Sequence, residues 1–164
     1  SDISSAKKIY QLAIEHYGEA PEALLGLGNC LSQEAFSDWS DGLIGTAKNK
    51  YVYAVEAYKK ALEQRYNLTA ATMGLSKALV MIVNIEGVKS SLFGEALKAC
   101  EDAHKNFPND FPVLLNLIAM YDANNERGKA ISPISNFIKK NPNHPELKAL
   151  RELKLEFELS FQKE

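Results

Sequence analysis

The chain has 164 residues, of which 46% are hydrophobic and 24% are charged, and its formal net charge is −2. These values are typical of one globular domain, and they exclude the strongly basic surface of most nucleic-acid-binding proteins. No apolar run of about 18 residues is present, so we expect no direct insertion into a membrane. A signal peptide is not recognisable at the start, and because an initiator Met is absent, we expect a fragment or a mature form.

The predicted elements are all helices. Apolar residues recur at three- and four-residue steps, as in Val55, Tyr58 and Leu62, and strand-like alternation is scarce. The last predicted helix combines an apolar stripe with a charged opposite side, as the end of a helical stack requires. In chain order, we expect one helix, three helix–turn–helix units and a final helix, over residues 2–17, 21–68, 69–110, 111–144 and 145–161.

A regular period is visible in the second half of the chain. The interval from Ala96 to Ala130 equals the interval from Pro108 to Pro142. The sequences around the two prolines are also similar, since Asn precedes and follows each of them closely. A helix–turn–helix unit of this length, about 34 residues, is the period of the tetratricopeptide repeat.

The order of small and large residues within the units resembles the tetratricopeptide family. The first helix of that repeat carries a large residue, a Leu-Gly-like pair and a Tyr-like residue, and the second carries a small, an aromatic and a small residue. The best matches are Leu24, Leu27, Gly28 and Leu31 in a first helix and Ala54, Tyr58 and Ala61 in a second. Further second-helix matches are Ala6/Tyr10/Ala13 and, with Cys in the aromatic position, Ala96/Cys100/Ala103. Ala130/Ile134/Phe137 matches less well, because Phe137 is large where a small residue is usual.

The resemblance implies an all-α fold, a right-handed helix–turn–helix solenoid with a C-terminal capping helix, formed by a single domain over residues 1–164. Residues 2–17 match a second helix that lacks its first, which suggests an array that once continued N-terminally. Small residues such as Gly28 are expected where two helices approach each other closely.

Two of the predicted units are longer than the family repeat. The intervals from Leu27 to Leu75 and from Leu75 to Leu117 exceed the period by about 14 and about 8 residues, respectively. The excess lies in residues 34–53 and 80–95, and both segments are rich in apolar residues. Either these inserts lengthen their helices and pack on each other, or they form an exposed apolar edge for a partner. In the second interpretation Trp39 is the expected contact, because Trp is enriched at binding hot spots.

In the family, the first helices line a concave groove. The resemblance therefore implies a partner-binding site that combines apolar and polar side chains, and Val80 is also expected on this face. Met side chains adapt to varied apolar ligands, so we expect a helical or extended peptide segment as the ligand. The implied groove residues are Leu25, Asn29, Met73, Lys77, Met81 and Leu115.

The expected role is therefore protein–protein interaction, as an adaptor, scaffold or assembly factor. The alternative is a structural module of a larger protein that self-associates through the apolar insert edge as a homo-oligomer. No catalytic, cofactor or metal site is expected, because His16, His104 and His144 are isolated and no Gly-rich phosphate loop is present. Cys30 and Cys100 are expected to be buried thiols, which suits the cytoplasm.

Overall fold

The computed structural model describes residues 2–65 and 68–160. Within these ranges the chain forms eight α-helices and no strand. The all-α prediction is confirmed, and each predicted element contains helix, while residue 161 of the predicted final helix lies outside the described residues. The helices are α1 (Asp2–Tyr17), α2 (Pro21–Ser40), α3 (Ile44–Gln64), α4 (Thr69–Glu86), α5 (Phe93–Asn106), α6 (Phe111–Ala123), α7 (Arg127–Lys140) and α8 (Leu147–Ser160).

Local sequence signals fix several helix ends. α2 begins at Pro21, a residue that lacks the amide hydrogen that a first helical position leaves unbonded in any case. Asp110 precedes α6, and its carboxylate accepts a hydrogen bond of 3.0 Å from the backbone N–H of Val113. Gly87 follows the last residue of α4, and its φ of +85° is a left-handed value that residues with a Cβ rarely adopt.

The chain divides into two compact units, residues 1–99 and 100–164, and the boundary falls inside α5. In the first unit, α2 packs against α1, α3 and α4, and α3 also packs against α4. In the second unit, α7 packs against α6 and α8. The thiols of Cys30 in the first unit and Cys100 in the second are both buried, which confirms that expectation.

Tyr58 of α3 is the central side chain of the first unit. Only 2% of the residue is exposed, and its ring lies so close to two helices that a Cβ on Gly28 of α2 or Gly74 of α4 would overlap it. The ring of Tyr10 lies in the same way against Gly26. The spacing from Tyr10 to Gly26 equals the spacing from Tyr58 to Gly74. The same packing contact therefore occurs between α1 and α2 and between α3 and α4. The interpretation of Gly28 as a point of close approach is confirmed.

In the second unit, Phe137 of α7 fills the position where the family has a small residue. It is fully buried, and its ring centroid lies 5.7 Å from that of Phe111 and 5.2 Å from that of His144. Tyr121 is also buried and donates a hydrogen bond of 2.9 Å to Glu101. Burial, together with this bond to a carboxylate, raises the pKa of Tyr121 to about 12.

The two segments in excess of the family period are largely helical. Residues 34–53 form the end of α2, a short connection and the beginning of α3, and residues 80–95 include the end of α4 and the beginning of α5. Both segments contribute to the core, to which the first adds Ala35, Ala47 and Tyr51. Val80, Ile82 and Val83 belong to the core of the first unit, whereas the apolar side chains around Trp39 are exposed to solvent.

Candidate protein-interaction surfaces

The predicted groove residues of the first unit lie on α2 and α4, two helices that pack against each other. Leu25 and Asn29 are four residues apart, and Met73, Lys77 and Met81 follow the same step, so each set lies along one side of its helix. The three apolar members are half-buried, and Asn29 and Lys77 are exposed. We call these five residues the groove face.

Val80 was expected on the same side, and this prediction is wrong. The residue is only 5% exposed and belongs to the core. The physical reason is that α4 packs against both α2 and α3, so its last turns contribute apolar side chains to the interior.

Asn29 is held in place by the core. The hydroxyl of Tyr58 donates a hydrogen bond of 2.9 Å to Asn29 Oδ1 and also lies 3.3 Å from Ser32 Oγ. Burial raises the pKa of Tyr58, which keeps the hydroxyl protonated and able to donate. Because the side-chain amide is planar, fixing Oδ1 also fixes the direction of the amide N–H groups. The sequence pattern assigned Tyr58 to packing alone and did not reveal this second role.

Leu115, the sixth predicted groove residue, lies on α6 in the second unit. Its side chain is exposed, whereas its neighbours Leu114, Leu117 and Ile118 are buried in that unit. Leu115 is thus an apolar side chain on the solvent side of an otherwise well-packed helix.

A second surface lies where α2 ends and α3 begins. The rings of Phe36 and Trp39 have centroids 6.0 Å apart, and Trp39 is 43% exposed. We call Phe36, Trp39, Leu43 and Ile44 the apolar edge, since all four side chains are substantially exposed. Ion pairs flank the edge, with Lys50 Nζ 2.8 Å from Asp38 Oδ2 and Lys48 Nζ 2.5 Å from Glu86 Oε1.

A cavity of about 310 Å³ opens between α1, α2 and α3, and the sequence did not reveal it. Its floor includes Leu24, Leu27 and Leu31, which lie on the side of α2 opposite to Leu25 and Asn29. The sequence pattern correctly marks these leucines as packing positions, but spacing alone does not show that α1 and α3 leave space above them.

Two classes of site are not found in the part of the chain that the structure describes. Within residues 2–65 and 68–160, no three His, Cys, Asp or Glu side chains are grouped so that they could hold a metal ion. In the same residues, none of the helices has the length and apolar character needed to cross a bilayer.

Comparisons with known proteins establish the fold but no family membership. No protein-family model matches the chain, and no curated protein matches it. A solved structure titled "MamA RS-1 ArsTM double mutant" matches with a TM-score of 0.62 and 18% sequence identity, and the match covers 99% of this chain and 88% of that chain. MamA contains tetratricopeptide repeats. The chain is therefore an all-α helical solenoid whose fold is like that of tetratricopeptide-repeat proteins.

Proposed function

We propose that this chain binds a helical or extended segment of a partner protein through the groove face of α2 and α4. The fold supports the proposal, since helical repeat proteins use such helix surfaces to bind other proteins. The observation that carries it is the hydrogen bond between Tyr58 and Asn29, which fixes a polar side chain on an otherwise adaptable apolar surface.

The groove face offers three kinds of contact. Leu25, Met73 and Met81 are half-buried, so apolar anchors of a partner can complete their burial at little cost in side-chain order. The amide N–H groups of Asn29 can donate to a backbone carbonyl, and the exposed ammonium of Lys77 can pair with a carboxylate. We expect a partner segment with apolar residues at helical or alternating spacing and one acidic residue. In the second unit, Leu115 is proposed as a separate apolar contact for a partner protein.

The test is affinity capture of partners with the double variant Leu25→Glu/Met73→Glu, followed by mass spectrometry. We expect loss of the partners that the wild type retains, because two carboxylates would have to be desolvated against the apolar anchors. Circular dichroism and thermal unfolding establish that the variant is folded.

The control is Val88→Glu, which places one carboxylate on an exposed apolar residue outside the groove face. It should retain every partner. If the folded double variant captures the same partners as the wild type, the groove face does not bind them. A separate Leu115→Glu variant tests the proposed contribution of the second unit.

The second candidate function is self-association through the apolar edge. The exposure of Phe36, Trp39, Leu43 and Ile44 favours it, because a contiguous apolar surface is often covered by a protein partner. In sedimentation experiments, the variant Trp39→Ser should then dissociate assemblies that the wild type forms. Wild-type protein that remains monomeric at all concentrations would exclude this candidate and would leave the groove proposal intact.

A further inference from the structure

The first and the last helix both expose apolar side chains. No residue of α1 is buried, although the helix packs on α2, and Ile9 and Leu12 are 65% and 52% exposed. On α8, Leu147, Leu150 and Phe157 face the core, whereas Leu155 is 55% exposed and Leu159 is also exposed. Each helix therefore carries an apolar strip that its own unit does not cover.

Each strip borders a shallow depression that is lined by apolar, basic and acidic side chains. The first has a volume of about 550 Å³ and is lined by Lys8, Gln11, Leu12, Ile14, Glu15 and Leu27. The second has a volume of about 430 Å³ and is lined by Ser135, Ile138, Arg151, Lys154, Leu155 and Glu158. In both depressions, apolar side chains lie between a basic residue and an acidic residue of the same helix.

The charges are also spaced identically along the two helices. Lys8 and Glu15 are seven residues apart on α1, and Arg151 and Glu158 are seven residues apart on α8. Seven residues are about two helical turns, so each pair lies on one side of its helix with a separation of about 10.5 Å along the axis. Leu12 and Leu155 lie between the charges of their respective pairs.

Three of these four charges are not neutralised within their own chain. Within residues 2–65 and 68–160, Lys8, Glu15 and Arg151 have no ion-pair partner. Glu158 is paired with Lys154 at 2.9 Å, a partly exposed contact within one helix that contributes little to stability. A second molecule can therefore reach Glu15 and Arg151 without breaking an existing contact.

We propose that α1 of one molecule packs antiparallel against α8 of a second copy of this chain. In this orientation Glu15 meets Arg151, Lys8 meets Glu158, and Leu12 and Leu155 are buried between the two ion pairs. The parallel orientation is excluded by charge, because it would place Lys8 opposite Arg151 and Glu15 opposite Glu158. The interface joins two different surfaces, and it leaves the groove face free for another partner.

The experiment is sedimentation velocity of the whole chain from micromolar to millimolar concentrations, with charge-reversed variants. Wild type should associate as concentration rises. Glu15→Arg alone and Arg151→Glu alone should each weaken association by at least about tenfold, because like charges then meet at the interface. The double variant Glu15→Arg/Arg151→Glu should associate again. An equimolar mixture of the two single variants should also associate, since every α1–α8 contact in alternating copies joins opposite charges.

The matched controls are Asp102→Arg alone and Lys105→Glu alone, which make the same single charge reversals on exposed residues of α5 and should associate like wild type. Circular dichroism of every variant excludes misfolding as the cause of lost association. A wild type that stays monomeric throughout, or single variants that associate normally, would overturn the proposal. Association that Trp39→Ser abolishes but Glu15→Arg leaves unchanged would assign self-association to the apolar edge and overturn it equally.

Discussion

The ring of Tyr58 lies against the backbone of Gly74, so that a Cβ on residue 74 would stand 2.5 Å from Cζ of the tyrosine. The ring has no room to retreat, because Gly28 borders it on another helix and its hydroxyl is bonded to Asn29. Gly74→Ala should therefore destabilise the first unit by about 1–3 kcal/mol, despite the gain of about 1 kcal/mol in helix propensity. Urea denaturation followed by far-ultraviolet circular dichroism measures the change.

Two other glycines provide the comparison. Gly45 lies in α3 with open space at the position of a Cβ, so Gly45→Ala should be neutral or stabilising. Gly26→Ala would also overlap a ring, but Tyr10 is half-exposed and can rotate towards solvent, so the loss should be smaller than for Gly74→Ala. Equal effects of Gly74→Ala and Gly45→Ala would show that close approach does not determine the choice of residue.

The bond between Tyr58 and Asn29 predicts thermodynamic coupling between the core and the groove face. Tyr58→Phe should lower the free energy of unfolding by about 0.5–1.5 kcal/mol, because Asn29 Oδ1 loses the hydroxyl that donates to it. Asn29→Ala should then cost less in the Tyr58→Phe background than in wild type. A double-mutant cycle from denaturation curves measures the coupling, and strictly additive effects would argue against a bond in solution.

His104 predicts a loss of stability in mild acid. Burial is the main cause that lowers the pKa of His104 below its usual 6.5, and the positive charge of Lys140 lowers it further. Below about pH 6.5 the unfolded chain then binds a proton more readily than the folded chain, so stability falls as pH decreases and is fully retained above that value. His104→Gln should flatten this part of the stability profile. Wild-type and variant profiles that superimpose between about pH 5 and about pH 7 would contradict the assignment.

The exposure of Trp39 can be measured directly, because it is the only tryptophan in the chain. Because the residue is 43% exposed, acrylamide should quench the fluorescence of Trp39 efficiently. The quenching constant should reach a large fraction of the constant measured for the urea-unfolded chain. Protection that increases with protein concentration would indicate self-association at the apolar edge. A low and concentration-independent quenching constant would mean that the indole is buried within the monomer.

The sequence predicted the all-α fold and the close approach at Gly28, because both depend on local periodicity and residue size. Gly28, for example, is recognisable as a contact point because a glycine inside a helix lowers helix stability. Close packing of a neighbouring helix explains why a glycine is present there. The burial of Val80 could not be predicted, since it depends on how far α3 extends over α4. The sequence also could not decide whether the two inserts are packed or exposed. An apolar run does not show which of its residues a neighbouring helix will cover.

In the candidate surfaces, too, some features follow from local sequence and others depend on contacts between distant segments. The stripe of Leu25 and Asn29 follows from a four-residue step, but the hydrogen bond from Tyr58 joins residues 29 positions apart in sequence. The opposite charges of Glu15 and Arg151 are visible in the sequence. Whether a second molecule can bind them depends on their exposure and on the ion pairs that they form within the chain. Contacts between distant segments are the information that residue spacing does not contain.

Each unit contains one buried cysteine whose chemical reactivity reports local opening of that unit. Cys30 lies in the first unit and Cys100 in the second, so a thiol-modifying reagent can reach each sulfur only when its surroundings open. Burial raises the pKa of Cys30, which further slows its reaction in the closed state. Peptide mapping of the labelled sites over time would therefore compare the opening rates of the two units in one unmodified molecule, with no introduced probe.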